Sequence, residues 1–72
     1  MLELYFVYNG HRKCSLGKFV HIHAAVKALK AHQAVYSAIN NPRFSKSMSG
    51  ETIRIDYGAK DCYYLIERTE ND

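Results

Sequence analysis

The sequence predicts an α+β domain, β-β-α-β-β, with one helix packed on a four-stranded antiparallel sheet. Three observations predict it. An Asn9-Gly10 dipeptide follows an apolar run directly, an alanine-rich stretch from about Val20 to Ile39 repeats apolar residues at helical spacing, and Thr52 to Tyr57 alternates between polar and apolar.

The first strand spans Leu2 to Tyr8 and is rich in leucine, tyrosine, phenylalanine and valine, which suit a pleated, buried surface. Asn-Gly then signals a hairpin, because both central residues of a type I′ turn need positive φ. A second strand is expected from His11 to about Leu16, ended by Gly17. With a two-residue turn, Tyr5 would face Cys14 and Val7 would face Arg12. In the helix, Ile22, Ala25, Val26, Leu29, His32, Tyr36 and Ile39 form one stripe. Asn40-Asn41-Pro42 stops it, since the residue before a proline is pushed out of the α region. Residues 43–50, RFSKSMSG, read as a serine-rich basic loop. Ile53, Ile55 and Tyr57 share one face of a third strand, Gly58 to Asp61 form a turn, and Cys62 to Glu67 form a fourth strand.

Face chemistry orders the strands. The first and fourth are apolar on both faces, so they belong in the centre; the second and third are more polar and belong at the edges. The expected order is 2-1-4-3. One helix covers one face of such a sheet, leaving Tyr5, Val7, Arg54 and Tyr63 as candidates for the open face. That face is expected to be buried in a homodimer or to serve as a stacking platform.

Seventy-two residues with 47% apolar content make a single domain, residues 1–72, with a polar tail from about 69–72. Cys14 and Cys62 read as free thiols of a reducing compartment. The N-terminus lacks the basic start of a secretory signal, and no apolar run reaches the ~20 residues of a membrane span. A cytoplasmic protein without membrane contact is expected.

Charge is the strongest functional signal. From Leu4 to Gly50 there is no acid, but seven bases: Arg12, Lys13, Lys18, Lys27, Lys30, Arg43 and Lys46. The last 22 residues hold Arg54, Lys60 and Arg68 against six acids, so about +7 stands beside −3. Distributed positive charge of this kind suits phosphate contacts, and the seven bases are the candidate nucleic-acid or anion-binding set. Ser15-Leu16-Gly17-Lys18, read as leading into the helix, would add a minor phosphate contact at its N-terminus. It lacks the spacing of a P-loop.

Chemistry finds less support. His11, His21, His23, His32, Cys14 and Cys62 lack the close-spaced pairs of structural zinc sites, so no metal is expected. His32, on the apolar stripe, reads as a half-buried core histidine bonded to a backbone or tyrosine oxygen. No nucleophile, base and carboxylate fall in a recognisable arrangement, so neither an enzyme nor a cofactor is expected.

Asn9-Gly10, the helix near His21 to Ile39 and the alternation from Ile53 to Ile66 together make a layout that resembles small accessory and inhibitor proteins of bacteriophages, including some anti-CRISPR proteins. The resemblance implies a non-catalytic inhibitor or adaptor acting on a host protein in the host cytoplasm. Two functions are thus expected as alternatives. One is a basic binding protein for nucleic acid or a nucleoprotein complex. The other is a phage-type protein-binding inhibitor working through its aromatic sheet face.

Overall fold

The computed structural model describes residues 1–36 and 42–69. These form an α+β fold with strands β1 (Leu2–Tyr8) and β2 (Arg12–Phe19), helix α1 (Ile22–Tyr36), and strands β3 (Ser45–Ser49), β4 (Thr52–Asp56) and β5 (Tyr63–Arg68). The strands make one antiparallel sheet in the order β2-β1-β5-β4-β3. The expected class and the inner order survive, with the anticipated third and fourth strands appearing as β4 and β5. The strand count changes from four to five. Ser45–Ser49 is a strand and not a loop, so β4 is an inner strand and β3 takes the edge. Its five residues are all exposed and show no polar–apolar alternation, which is why a pattern-based reading passes over it.

A three-residue connection, Asn9 to His11, replaces the two-residue turn. Asn9 (φ 53°) and Gly10 (φ 76°) both take positive φ, and the His11 amide donates to the Tyr8 carbonyl at 3.3 Å. The added residue shifts the register by one: Tyr5 pairs with Ser15, Val7 with Lys13 and Tyr8 with Arg12. A one-residue slip exchanges the two faces of a strand. Lys13, and not Arg12, therefore stands beside Val7, and Cys14 lies on the helix side opposite Phe6.

β2 also runs past Gly17. Leu4 pairs with Gly17 while Tyr5 pairs with Ser15, leaving Leu16 as an extra residue in a bulge. Gly17 there has φ 133°, a conformation that L-residues rarely adopt. Ser15 to Lys18 consequently lie inside a strand and do not lead into the helix. The Ser15 hydroxyl donates to Glu3 at 2.7 Å, and the segment does not stand at the helix N-terminus, the position from which its phosphate contact was expected.

Helix α1 buries Ala25, Leu29 and Gln33, spaced by four, against the sheet. Leu29 and Ala25 join Leu4, Ile66, Ile55, Tyr57 and Tyr64 in one core cluster. The expected stripe is correct in its middle and wrong at both ends: Ile22 and Tyr36 are exposed, and Gln33, not anticipated, is only 3% exposed. Ile39 lies outside the described residues. His32 behaves as expected. Nδ1 shares a hydrogen bond of 2.8 Å with the Tyr64 hydroxyl, and its ring contacts Phe6, Tyr36 and Tyr64. Burial lowers the His32 pKa and raises that of Tyr64, so the pair is neutral near pH 7.

Two further contacts close the sheet ends. The Gly10 amide donates to the Asp61 carbonyl at 2.9 Å, joining the first hairpin to the β4–β5 loop, and the Thr69 amide donates to the Met1 carbonyl at 2.9 Å. Thr69, placed in a polar tail by the sequence reading, is thus anchored; residues 70–72 lie outside the described residues. No helix among the described residues is long and apolar enough to cross a membrane.

Candidate functional site

Strand parity sorts the charges between the two faces of the sheet. Glu3 on β1, Glu67 on β5 and Asp56 on β4 all point away from the helix, as their pairings with Lys18, Glu3 and Ser45 require. Each is engaged there. Lys13 Nζ lies 3.0 Å from Glu67 Oε2, and Arg54 Nη2 lies 3.1 Å from Asp56 Oδ1. Glu3 accepts from Ser15, and hydrogen bonds from Ser15 and Tyr5 hold its carboxyl below the ordinary range, aided by Lys18 and Lys13. The Tyr5 hydroxyl is shifted up, by burial first and then by Glu3. The Arg54 guanidinium is shifted up by its bonds to Asp56.

The expected stacking set does assemble on this open face. Tyr5, Leu65 and Arg54 lie side by side on β1, β5 and β4, and Val7 lies beside Tyr63. Neither ring is bare, however. Lys13 Nζ sits 4.0 Å from the Tyr5 ring centre, and the Arg54 guanidinium carbon sits 3.8 Å from that of Tyr63. Cations at that distance are held by the ring quadrupole. Val7 is 3% exposed, between Lys13 and Tyr63 on the flanking strands, so it offers no contact surface of its own. An incoming base or side chain would have to displace Lys13 or Arg54 from both a ring and a carboxylate.

The helix side holds the remaining candidates. By register, Arg12 and Lys46 lie on that side of the sheet, as does Arg68, which the sequence reading did not single out. Lys27 and Lys30 stand on the exposed surface of α1, and Arg43 is exposed next to Phe44. Lys30 Nζ is 5.4 Å from the Phe44 ring centre, so this lysine links the helix to the start of β3. Among the described residues, none of Arg12, Lys27, Lys30, Arg43 and Lys46 forms an ion pair. The helix itself carries no acid, and the two other described acids, Glu51 and Asp61, lie in turns.

The seven candidate bases thus divide. Lys13 and Lys18 belong to the open face, where one is paired and the other lies near Glu3; Arg12, Lys27, Lys30 and Lys46 belong to the helix side, and Arg43 is exposed just before β3. No sequence rule separates them without the correct hairpin register. Lys13 and Glu67 are 54 residues apart, and nothing short of that register joins them.

A half-open cleft of about 190 Å³ lies on the helix side at the β3–β4 turn, lined by Leu2, Met48, Gly50, Ile53 and Ile66 among others. It is below the ~300–1,000 Å³ of most small-molecule sites. Cys14 and Cys62 are free thiols, the first exposed and the second half-buried. Among the described residues no three His, Cys, Asp or Glu side chains gather as a metal set would.

Comparison of the chain with protein-family models, with curated proteins and with solved structures finds no match.

Proposed function

We propose that this chain is a non-catalytic binding protein whose helix side engages nucleic acid or a nucleoprotein complex. The observation that supports the reading is the sorting of charge by sheet face. The three strand acids all lie on the open face with cations beside them, and among the described residues Arg12, Lys27, Lys30 and Lys46 on the other side, with Arg43 at the start of β3, form no ion pair. Unpaired, distributed cations release bound counterions from a polyanion, which makes binding steeply dependent on salt. About five phosphate contacts give a log–log slope of roughly −3.5 to −4.5.

The test is an anisotropy titration on single- and double-stranded oligonucleotides across a salt series. Lys27→Glu combined with Lys30→Glu should abolish binding, whereas Lys13→Glu, on the open face, should leave it nearly unchanged. No binding at low salt, or equal loss from the two faces, would refute the reading.

The protein-directed alternative is an inhibitor or adaptor of the phage type, working in a host cytoplasm through Tyr5, Val7, Arg54 and Tyr63. It draws on the continuity of that face across three strands. It predicts a partner retained at high salt and lost on Tyr63→Ala. The capped rings make it the second choice.

A further inference from the structure

We infer that the β3 edge pairs antiparallel with the β3 edge of a second copy, about a two-fold axis at Ser47. The sheet has two free edges, and they differ. β2 carries Arg12, Lys13 and Lys18 and is bent by the extra residue Leu16, features that discourage strand addition. β3 is regular, carries Lys46 as its one cation, and is exposed along its whole length.

The hairpin fixes which backbone groups are free. Ser49 and Thr52 close a two-residue turn, so they exchange both hydrogen bonds, and Ser47 and Ser45 repeat that pattern toward the start of the strand. The N–H and C=O groups of Lys46 and Met48 therefore point away from β4. Any new ladder must use these two residues as its hydrogen-bonded positions. Identical strands can satisfy this in three registers. Lys46 opposite Lys46 sets like charges against each other. Met48 opposite Met48 leaves Ser45 and Lys46 of each strand facing the other copy's turn and pairs only three of the five residues. Lys46 opposite Met48 pairs β3 along its full length and lays each lysine stem on a methionine that is 65% exposed.

That register also matches what flanks the strand. It brings Phe44, 38% exposed, to Gly50 of the second copy. Phe44 lies on the helix side, under Lys30, and Gly50 lines the cleft on the same side. A ring in one copy thus meets a backbone position with no side chain in the other. Arg43 arrives at Glu51 of the second copy. The two are opposite in charge, exposed, and without an ion pair among the described residues. One copy cannot join them by itself, since they flank opposite ends of the extended five-residue strand β3, which alone spans about 17 Å. The pairing is the same surface on both sides, so it closes as a dimer. Five paired residues and two flanking contacts make a small interface, so association is expected in the micromolar range.

Sedimentation without nucleic acid tests this independently of the binding function. The native chain should show twice its monomer mass of 8.3 kDa at high micromolar concentration. Arg43→Glu and Glu51→Arg should each give a monomer, and the two together should restore the dimer. Ser47→Cys provides a second measurement. Its sulfur would lie on the two-fold axis, in a non-hydrogen-bonded pair with Cα atoms ~4.5 Å apart, a span that a disulfide accepts. Ser45→Cys, on the same face, would lie about 13 Å from its own mate. Air oxidation should therefore link the first variant and not the second. A native monomer at every concentration, a dimer indifferent to both charge reversals, or equal cross-linking at positions 45 and 47 would each overturn the inference.

Discussion

Tyr64→Phe removes one oxygen from a core ring and leaves the ring itself in place. Tyr64 is 1% exposed and packs against Phe6, His32 and Tyr57, with centroids 5.2–5.7 Å away. Those contacts need no hydroxyl, so the loss is confined to the 2.8 Å bond with His32. A neutral hydrogen bond contributes about 0.5–1.5 kcal/mol net, and a fully buried orphan nitrogen would raise the loss to about 1–3 kcal/mol. His32 is half-buried, so water can reach it, and about 1 kcal/mol is expected. For a domain of this size that lowers Tm by about 4–8 °C. The pH dependence separates the two partners. Burial depresses the His32 pKa, so the unfolded chain binds the proton more readily than the folded one. The His32 contribution is complete above the ordinary histidine pKa of about 6.5 and is lost as pH falls below it toward the folded value. That loss comes from burial of the imidazole, so Tyr64→Phe should retain it, while His32→Gln should remove it. Thermal melts between pH 5 and pH 8 on both variants and their double mutant provide the measurement. A Tyr64→Phe chain as stable as the native one, or strictly additive losses in the double mutant, would refute the hydrogen-bonded pair.

Other predictions concern packing, backbone and surface charge. Leu29→Ala empties a fully buried position of the core cluster and should destabilise by about 2–5 kcal/mol in denaturant titration. Gly17→Ala should destabilise by about 1–3 kcal/mol. The added methyl would stand 3.7 Å from the Phe19 ring, which is ordinary contact, so the loss comes from φ 133° and not from crowding. Lys13→Ala breaks an exposed ion pair with Glu67, and its effect on stability should be at most about 1 kcal/mol and should shrink at high salt.

The inner sheet and the helix were legible because their residues repeat at the period of the structure they form. Ile53, Ile55 and Tyr57 alternate, and Ala25 and Leu29 recur at helical spacing. Three features were not. Ser45–Ser49 has no apolar face, since the edge strand covers nothing and its side chains meet water. Gly50 after a serine was the available clue, as a glycine can open a two-residue hairpin turn. The register of the first hairpin depended on whether His11 belonged to the turn, and composition does not decide that. Gln33 was invisible because a buried polar residue follows its partners and not a pattern. The candidate site suffered from the second of these. The seven bases of the acid-free window were identified and Arg68 was not, and the face that Arg12 and Lys13 occupy turns on the one residue added at the Asn9–His11 connection.

The placement of β5 governs how this chain can fold. β1 pairs with β2 and β3 with β4 as local hairpins, yet neither hairpin is bonded to the other; β5 lies between them and pairs with both. During synthesis the two hairpins and the helix leave the ribosome before the strand that unites them. An isolated two-stranded hairpin is marginal in water, so the emerging chain has no stable resting point until Tyr63–Arg68 arrives. Assembly is then a single late event that inserts one strand into a gap. A chain terminated just before Tyr63 would lose far more than its final strand. It would leave β1 and β4 with open edges, exposed to proteases and to pairing with other unfinished chains.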